Sequence, residues 1–179
     1  MRTSLVERMI GAAFLDTSTY EAVERDQNAT SSALLIVVLA AIASGIGLLG
    51  SGNLLAVIFG ILAALIGWAA YAGVAYLVGS RLLAGPQTQA TWGQLLRTLG
   101  FAQTPRLLLV LTFIPLFGFV LNLVVWVWTL VTTVVAIRQA LDFTTGRAIV
   151  TAIVSWIILA IVQFILLAPF GALLIRSSP

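Results

Sequence analysis

The residues best equipped for chemistry are few, and they gather in two places. Asp16, Glu21, Glu24 and Asp26 fall within the stretch LDTSTYEAVERDQNAT, with Thr19 and Tyr20 between them, and RQALDFTTGR brings Arg138, Gln139 and Asp142 together. Carboxylates at this density could hold a divalent cation or serve as a paired acid and base. Neither reading has what it needs, because no ion-specifying loop, histidine, glycine-rich phosphate loop or activated nucleophile accompanies them. Cysteine and histidine are absent from the whole sequence. That removes disulfides, thiolate nucleophiles, imidazole bases and the usual zinc and haem ligands together. The GFAQTPR segment specifies no site by spacing alone. The expectation is a protein that is not an enzyme, with no catalytic residues, no metal and no cofactor.

What remains for these residues is structure or partner binding. Thr19 is placed to cap a helix carrying Glu21 and Glu24, whose charges suit a helix N-terminus. Arg138 and Asp142 stand four apart, so one helical face can pair them as a clasp at a helix end. Phe143 is positioned to anchor the return loop, and Thr144 or Thr145 to cap the helix that follows. Local capping and salt bridging would account for both clusters. So would a docking surface made of Asp16, Thr19, Tyr20, Glu21, Glu24, Asp26, Arg138, Gln139 and Asp142.

The elements that must position these residues are set by composition. Apolar types make up 61% of the 179 residues and charged types only 8%, with a mean hydropathy of +1.13. A soluble domain carries roughly a quarter of its residues as charges, so this chain needs lipid as part of its solvent. All nine basic residues are arginines. They are scattered singly, which argues against a nucleic-acid partner despite the net charge of +3. Residues 1–30 mix charges and lack the pattern of a cleaved signal, so the first apolar run is expected to stay and direct insertion.

Apolar runs define an all-alpha polytopic integral membrane protein: a five-transmembrane-helix bundle behind an N-terminal amphipathic segment. Residues 1–31 form the cytoplasmic or interfacial segment and residues 32–179 the transmembrane domain, with spans at about 32–49, 54–78, 97–115, 116–137 and 148–170. The third is the weakest, since Leu107–Ile114 is too short alone and must recruit the residues before it or re-enter. Pro105 is placed to start or kink a helix, and Pro115 with Gly118 reads as a tight turn into the next span; four spans are the rival count. With a cytoplasmic N-terminus, five spans leave Arg2, Arg8, Arg25, Arg81, Arg97, Arg106, Arg138 and Arg147 inside and Arg176 alone outside. That is the bias expected of a bacterial cytoplasmic (inner) membrane protein whose C-terminus is extracytoplasmic.

Val6, Met9, Ile10, Ala13 and Phe14 recur at helical spacing, as do Trp92, Leu95, Leu96 and Leu99. Both segments can lie in the membrane interface or form the wet ends of neighbouring helices. Small residues in span one (Ala40 to Gly47) and in span two (Gly60, Ala64, Gly67, Ala70 and Gly73) suit close helix packing, within one subunit or between two. Asn122 and Gln163 are the strongest polar groups in mid-span and are expected to hydrogen-bond across helices; Trp126 and Trp128 either anchor an interface or fill the bundle.

Taken in order, RMIGAAFLDTSTYEAVERDQNAT, LLRTLGFAQTPRLL, Pro115, Gly118 and WVWTLVTTVVAIRQALDF resemble a bacterial member of the Yip1 family of integral membrane proteins. The resemblance implies five spans with a cytoplasmic N-terminus and an extracytoplasmic C-terminus. It implies no reaction for Asp16, Thr19, Tyr20, Glu21, Asp26, Pro105, Arg138, Gln139 or Asp142, its best-matching positions. Eukaryotic relatives are linked to Rab GTPases and to traffic between endoplasmic reticulum and Golgi through longer N-terminal regions. Only about 30 residues precede the first span here, so that role does not transfer intact. The expected function is a scaffold or adaptor that binds another integral membrane protein, self-associates, or organises membrane lipids. The alternative is a channel or transporter for a small neutral or lipid-like substrate, with a polar cavity around Asn122 and Gln163.

Overall fold

The computed structural model describes residues 4–49, 54–85, 88–114 and 117–176. Two short helices, α1 (Leu5–Ala13) and α2 (Thr17–Arg25), precede the long α3 (Ala29–Leu49) and α4 (Leu54–Leu77). Helix α4 continues through a π turn at Val78–Leu82. Then come α5 (Trp92–Phe101), a 3-10 stretch at Thr104–Phe113, α6 (Phe117–Ala140) and α7 (Thr145–Arg176). The segments Leu54–Leu82, Phe117–Ala140 and Thr145–Leu166 are each long and apolar enough to cross a membrane, and α2 with α3 passes the same test across a bend of 118°. Three to four candidate crossings follow, so the chain is an all-alpha polytopic membrane protein.

The segment expected as a single third span is instead two pieces. Helix α5 stops at Phe101 and the chain resumes as ten residues of 3-10 helix with Pro105 in its first turn. Proline suits that position because it has no N–H to lose there. The break is covered from α6, where the buried Thr132 hydroxyl donates to the Ala102 carbonyl at 2.8 Å. Such long 3-10 runs are uncommon, and each residue advances about 2.0 Å against 1.5 Å in an α-helix. Ten residues therefore reach as far as about thirteen α-helical ones, which offsets the shortness of this apolar run. Pro115 lies outside the described residues. Gly118 is buried, and a Cβ there would collide with the backbone of Thr112, so the tight approach after the 3-10 stretch requires glycine.

Packing is densest at one end of the bundle. Tyr20, Ile36, Leu95, Leu99, Phe101, Ile137 and Leu141 are fully buried there, beneath the α1–α2 hairpin. Close approach comes from Gly100, where a Cβ would fall onto Ala33 of α3. The expected glycine seam of α4 is not closed in this way: nothing lies within 4 Å of a Cβ at Gly60 or Gly67, whereas Ala72 and Ala75 are fully buried. Indole N–H groups staple the helices by donating to backbone carbonyls. Trp68 reaches Leu96 at 3.1 Å, Trp92 reaches Ala69 at 3.2 Å, and Trp128 reaches Ala13 at 2.7 Å. Trp126 is half-exposed instead.

Candidate functional site

Helix α1 begins at a capping box in which Ser4 and Glu7 exchange backbone and side-chain hydrogen bonds. It ends in a Schellman clasp: Asp16 N–H donates to the Gly11 carbonyl and Leu15 N–H to that of Ala12, with Leu15 at φ 66. Its outer stripe of Val6, Ile10 and Phe14 is 60%, 54% and 73% exposed, while Ala12 and Ala13 face inward. An apolar stripe turned away from the protein is what an interfacial helix presents to lipid.

The cap of α2 is Asp16 rather than Thr19. The Asp16 carboxylate accepts from Ser18 N–H at 3.1 Å and from the hydroxyls of Ser18 and Thr19 at 2.9 and 2.7 Å. Those bonds, Thr19's first, hold its carboxyl below the ordinary carboxylate value. Thr19 in turn packs where Gly11 leaves room for it. Tyr20 is fully buried and donates to the Ala12 carbonyl at 3.0 Å. It therefore seals the hairpin and is inaccessible to a partner. Asp26 pairs with Arg8 at 2.7 Å, and that bond is the main reason its pKa falls.

Glu24 bonds to α5 rather than to the second sequence cluster. Its carboxylate accepts from Gln94 at 2.8 Å, and Gln94 also completes the capping box of α5 with Thr91. Burial first, and then the negative charge of Asp142, raises the Glu24 pKa above its ordinary value. The Arg97 guanidinium, 8% exposed, donates through Nε to the carbonyls of Val23 and Glu24 and through Nη2 to that of Glu24. A cation thus closes the C-terminal end of α2, where helix carbonyls lack partners.

The second cluster forms a clasp through its backbone. Phe143 N–H donates to the Arg138 carbonyl at 2.9 Å and Asp142 N–H to that of Gln139 at 3.3 Å, a second Schellman motif with Asp142 at φ 51. Helix α6 ends at Ala140, so Asp142 leaves the face on which an i,i+4 partner would meet it. Among the described residues no ion pair joins it to Arg138. Both side chains are exposed, as is Glu21, which pairs with Arg25 at 3.0 Å. Phe143 is buried, under the Arg147 guanidinium at 5.1 Å. The exposed charges Asp16, Glu21, Arg138 and Asp142 thus sit on or beside two turns clasped by their own backbone.

Towards the other part of the bundle the helices separate into a cleft of about 990 Å³, walled by α3, α4, the α5–3-10 segment, α6 and α7. Asn122 and Gln163 line it and make no cross-helix hydrogen bond among the described residues. Arg106 lines it too, donating to Gln103 at 3.1 Å and to Ser44 at 3.5 Å. Ser44 stands about 22 Å along α3 from Ala29 at 1.5 Å per residue. Arg106 thus lies beside a residue well along α3 and not beside a helix end. A lone arginine inside an apolar run was the available signal.

No group of His, Cys, Asp or Glu among the described residues could hold a metal ion. The fold is that of a polytopic helical membrane protein. The family model of the Yip1 domain matches residues 14–167, and the chain belongs to that family. Its members are non-catalytic membrane proteins that interact with other membrane proteins. Neither the curated proteins nor the solved structures include a match to this chain.

Proposed function

We propose that this chain is a scaffold or adaptor in the bacterial cytoplasmic membrane, binding another integral membrane protein through the surface shared by the α1–α2 hairpin and the α6–α7 turn. The observation that carries the reading is the division of that surface. Tyr20, Val23 and Arg97 tie the hairpin to the bundle from beneath, which leaves Asp16, Glu21, Arg138 and Asp142 outward on a fixed frame. A preorganised charged face loses little entropy on docking and selects partners by complementary charge. The outward stripe of α1 supports seating this face at the lipid headgroups.

In this reading the chain crosses the membrane five times, with the N-terminus in the cytoplasm and the C-terminus outside. Support comes from the arginine bias and from the reach of α5 with its 3-10 continuation. Laid end to end, those twenty residues extend about 35 Å, against a hydrocarbon core of about 30 Å.

The test is a photo-crosslinker at the exposed Ala22, beside Glu21, in native membranes, followed by quantitative mass spectrometry. The expected result is one membrane protein near one-to-one whose crosslink disappears in Glu21→Arg and Asp142→Arg. Recovery of the chain alone, or only of its own oligomer, would refute the adaptor. The cleft beside Asn122 and Gln163 favours the second reading, passage of a lipid-like substrate, which flux in liposomes would detect.

A further inference from the structure

We propose that the cleft binds an anionic amphiphile: a phospholipid whose phosphate pairs with Arg106 and whose acyl chain lies along the α4 wall at Gly67. The argument begins with charge. Arg106 has five N–H donors, and its partners among the described residues are neutral, the Gln103 amide oxygen and the Ser44 hydroxyl. The Ser44 hydroxyl spends its own proton on the Ala40 carbonyl at 2.7 Å. No carboxylate pairs with Arg106 among the described residues. The sequence supplies none nearby, since all six acidic side chains lie between residues 7 and 26 or at residue 142. A guanidinium among apolar helices calls for a counter-anion, and its planar fork matches the oxygens of a phosphate.

The shape of the cleft decides what carries that anion. Its volume of about 990 Å³ lies at the upper end of the roughly 300–1,000 Å³ that enclose drug-sized ligands, far more than an inorganic phosphate fills. On α6 the lining interleaves Asn122, Thr129 and Thr133 with apolar side chains, while on α4 it includes Ala63, Ala64 and Gly67. A mostly apolar lining that also carries a cation and several polar groups suits a ligand with a head and a tail. At Gly67 nothing stands within 4 Å of a Cβ, so the α4 lining is open where a chain would lie. The site requires neither the adaptor nor the transport reading, since a lipid can be bound without being moved.

The experiment places the full chain in nanodiscs of phosphatidylcholine containing a minor share of phosphatidylglycerol. The protein is then extracted gently, and the retained lipid is read by native mass spectrometry. The native protein is expected to keep phosphatidylglycerol in preference to phosphatidylcholine. Arg106→Gln should lower that preference by at least about tenfold, the loss of one charge-assisted hydrogen bond, and Gly67→Leu should lower it by filling the tail's space. Arg81→Gln, an exposed arginine outside the cleft, should leave it unchanged. Retention in folded Gly67→Leu or Arg106→Gln protein would overturn the proposal, as would an equal loss in Arg81→Gln. Inorganic phosphate should not displace the lipid, and displacement at comparable concentration would reduce the site to a simple anion site and overturn the amphiphile.

Discussion

Removing the Arg97 guanidinium should undock the α1–α2 hairpin while leaving the bundle standing. The side chain is 8% exposed and donates to two carbonyls in the last turn of α2. A hydrogen bond to a charged group contributes about 1.5–3 kcal/mol net, and the carbonyls left buried add to the loss. Because the two carbonyls share one cation, Arg97→Ala should cost the hairpin about 2–4 kcal/mol. At 1.4 kcal/mol per tenfold, amide exchange across Leu5–Arg25 should accelerate by about 30- to several-hundred-fold. Arg97→Lys should fall between, since an ammonium keeps the charge but not the fork. Arg25→Ala, which removes an exposed pair with Glu21, should change exchange by roughly twofold or less. Hydrogen exchange in nanodiscs reads all three variants. Hairpin exchange in Arg97→Ala within twofold of the native protein would refute the reasoning, as would equal acceleration in α4 and α7, which would mean global unfolding.

Gly100→Val places a side chain on Ala33 and should lower the unfolding temperature through overpacking worth about 1–3 kcal/mol. Gly60→Ala, with open space around its Cβ, should not, and equal melting of the two variants in one detergent would contradict the α3–α5 contact. The hairpin should also report pH with opposite signs at its carboxylates. Asp26 and Asp16 titrate below their ordinary value of 3.8 in the folded state, so their stabilisation is present above that value and lost as pH falls through the lower, folded one. Glu24 is raised above 4.5 by burial, so its protonation first favours docking as pH falls. Hairpin protection should therefore hold or rise slightly down to the Glu24 titration and decline below 3.8. Asp26→Asn should weaken docking at neutral pH and flatten the acid limb, and an unchanged limb would refute the Arg8–Asp26 contribution.

Much of this protein is legible in its residues because the governing rules are local. A chain with 8% charged residues and long apolar runs has no other solvent than lipid, and a missing histidine or cysteine is missing from every conformation. The runs later realised as α4, α6 and α7 are set by length and hydropathy in the same way, as is the turn chemistry around Gly118. Helix-end chemistry was partly legible. A clasp at 138–142 was expected from charges, but the backbone made it, because the helix ended two residues before Asp142.

Direction is what sequence periodicity leaves open in an almost uniformly apolar helix. Helix α4 has small residues on several faces, and only packing distinguishes the buried Ala72 and Ala75 from the open Gly60 and Gly67. The same ambiguity hid Arg106, whose type fits a cytoplasmic flank as well as a cleft until the 3-10 stretch turns it towards Ser44. Sequence alone determined the class, the apolar segments and the absence of cysteine and histidine, because those depend on composition and spacing along one chain. The tertiary structure decided which charges meet: Glu24 with Gln94, Arg97 with the end of α2, and Arg106 with no carboxylate among the described residues. Those contacts join residues as many as 74 positions apart, and only the crossing of packed helices brings such positions together.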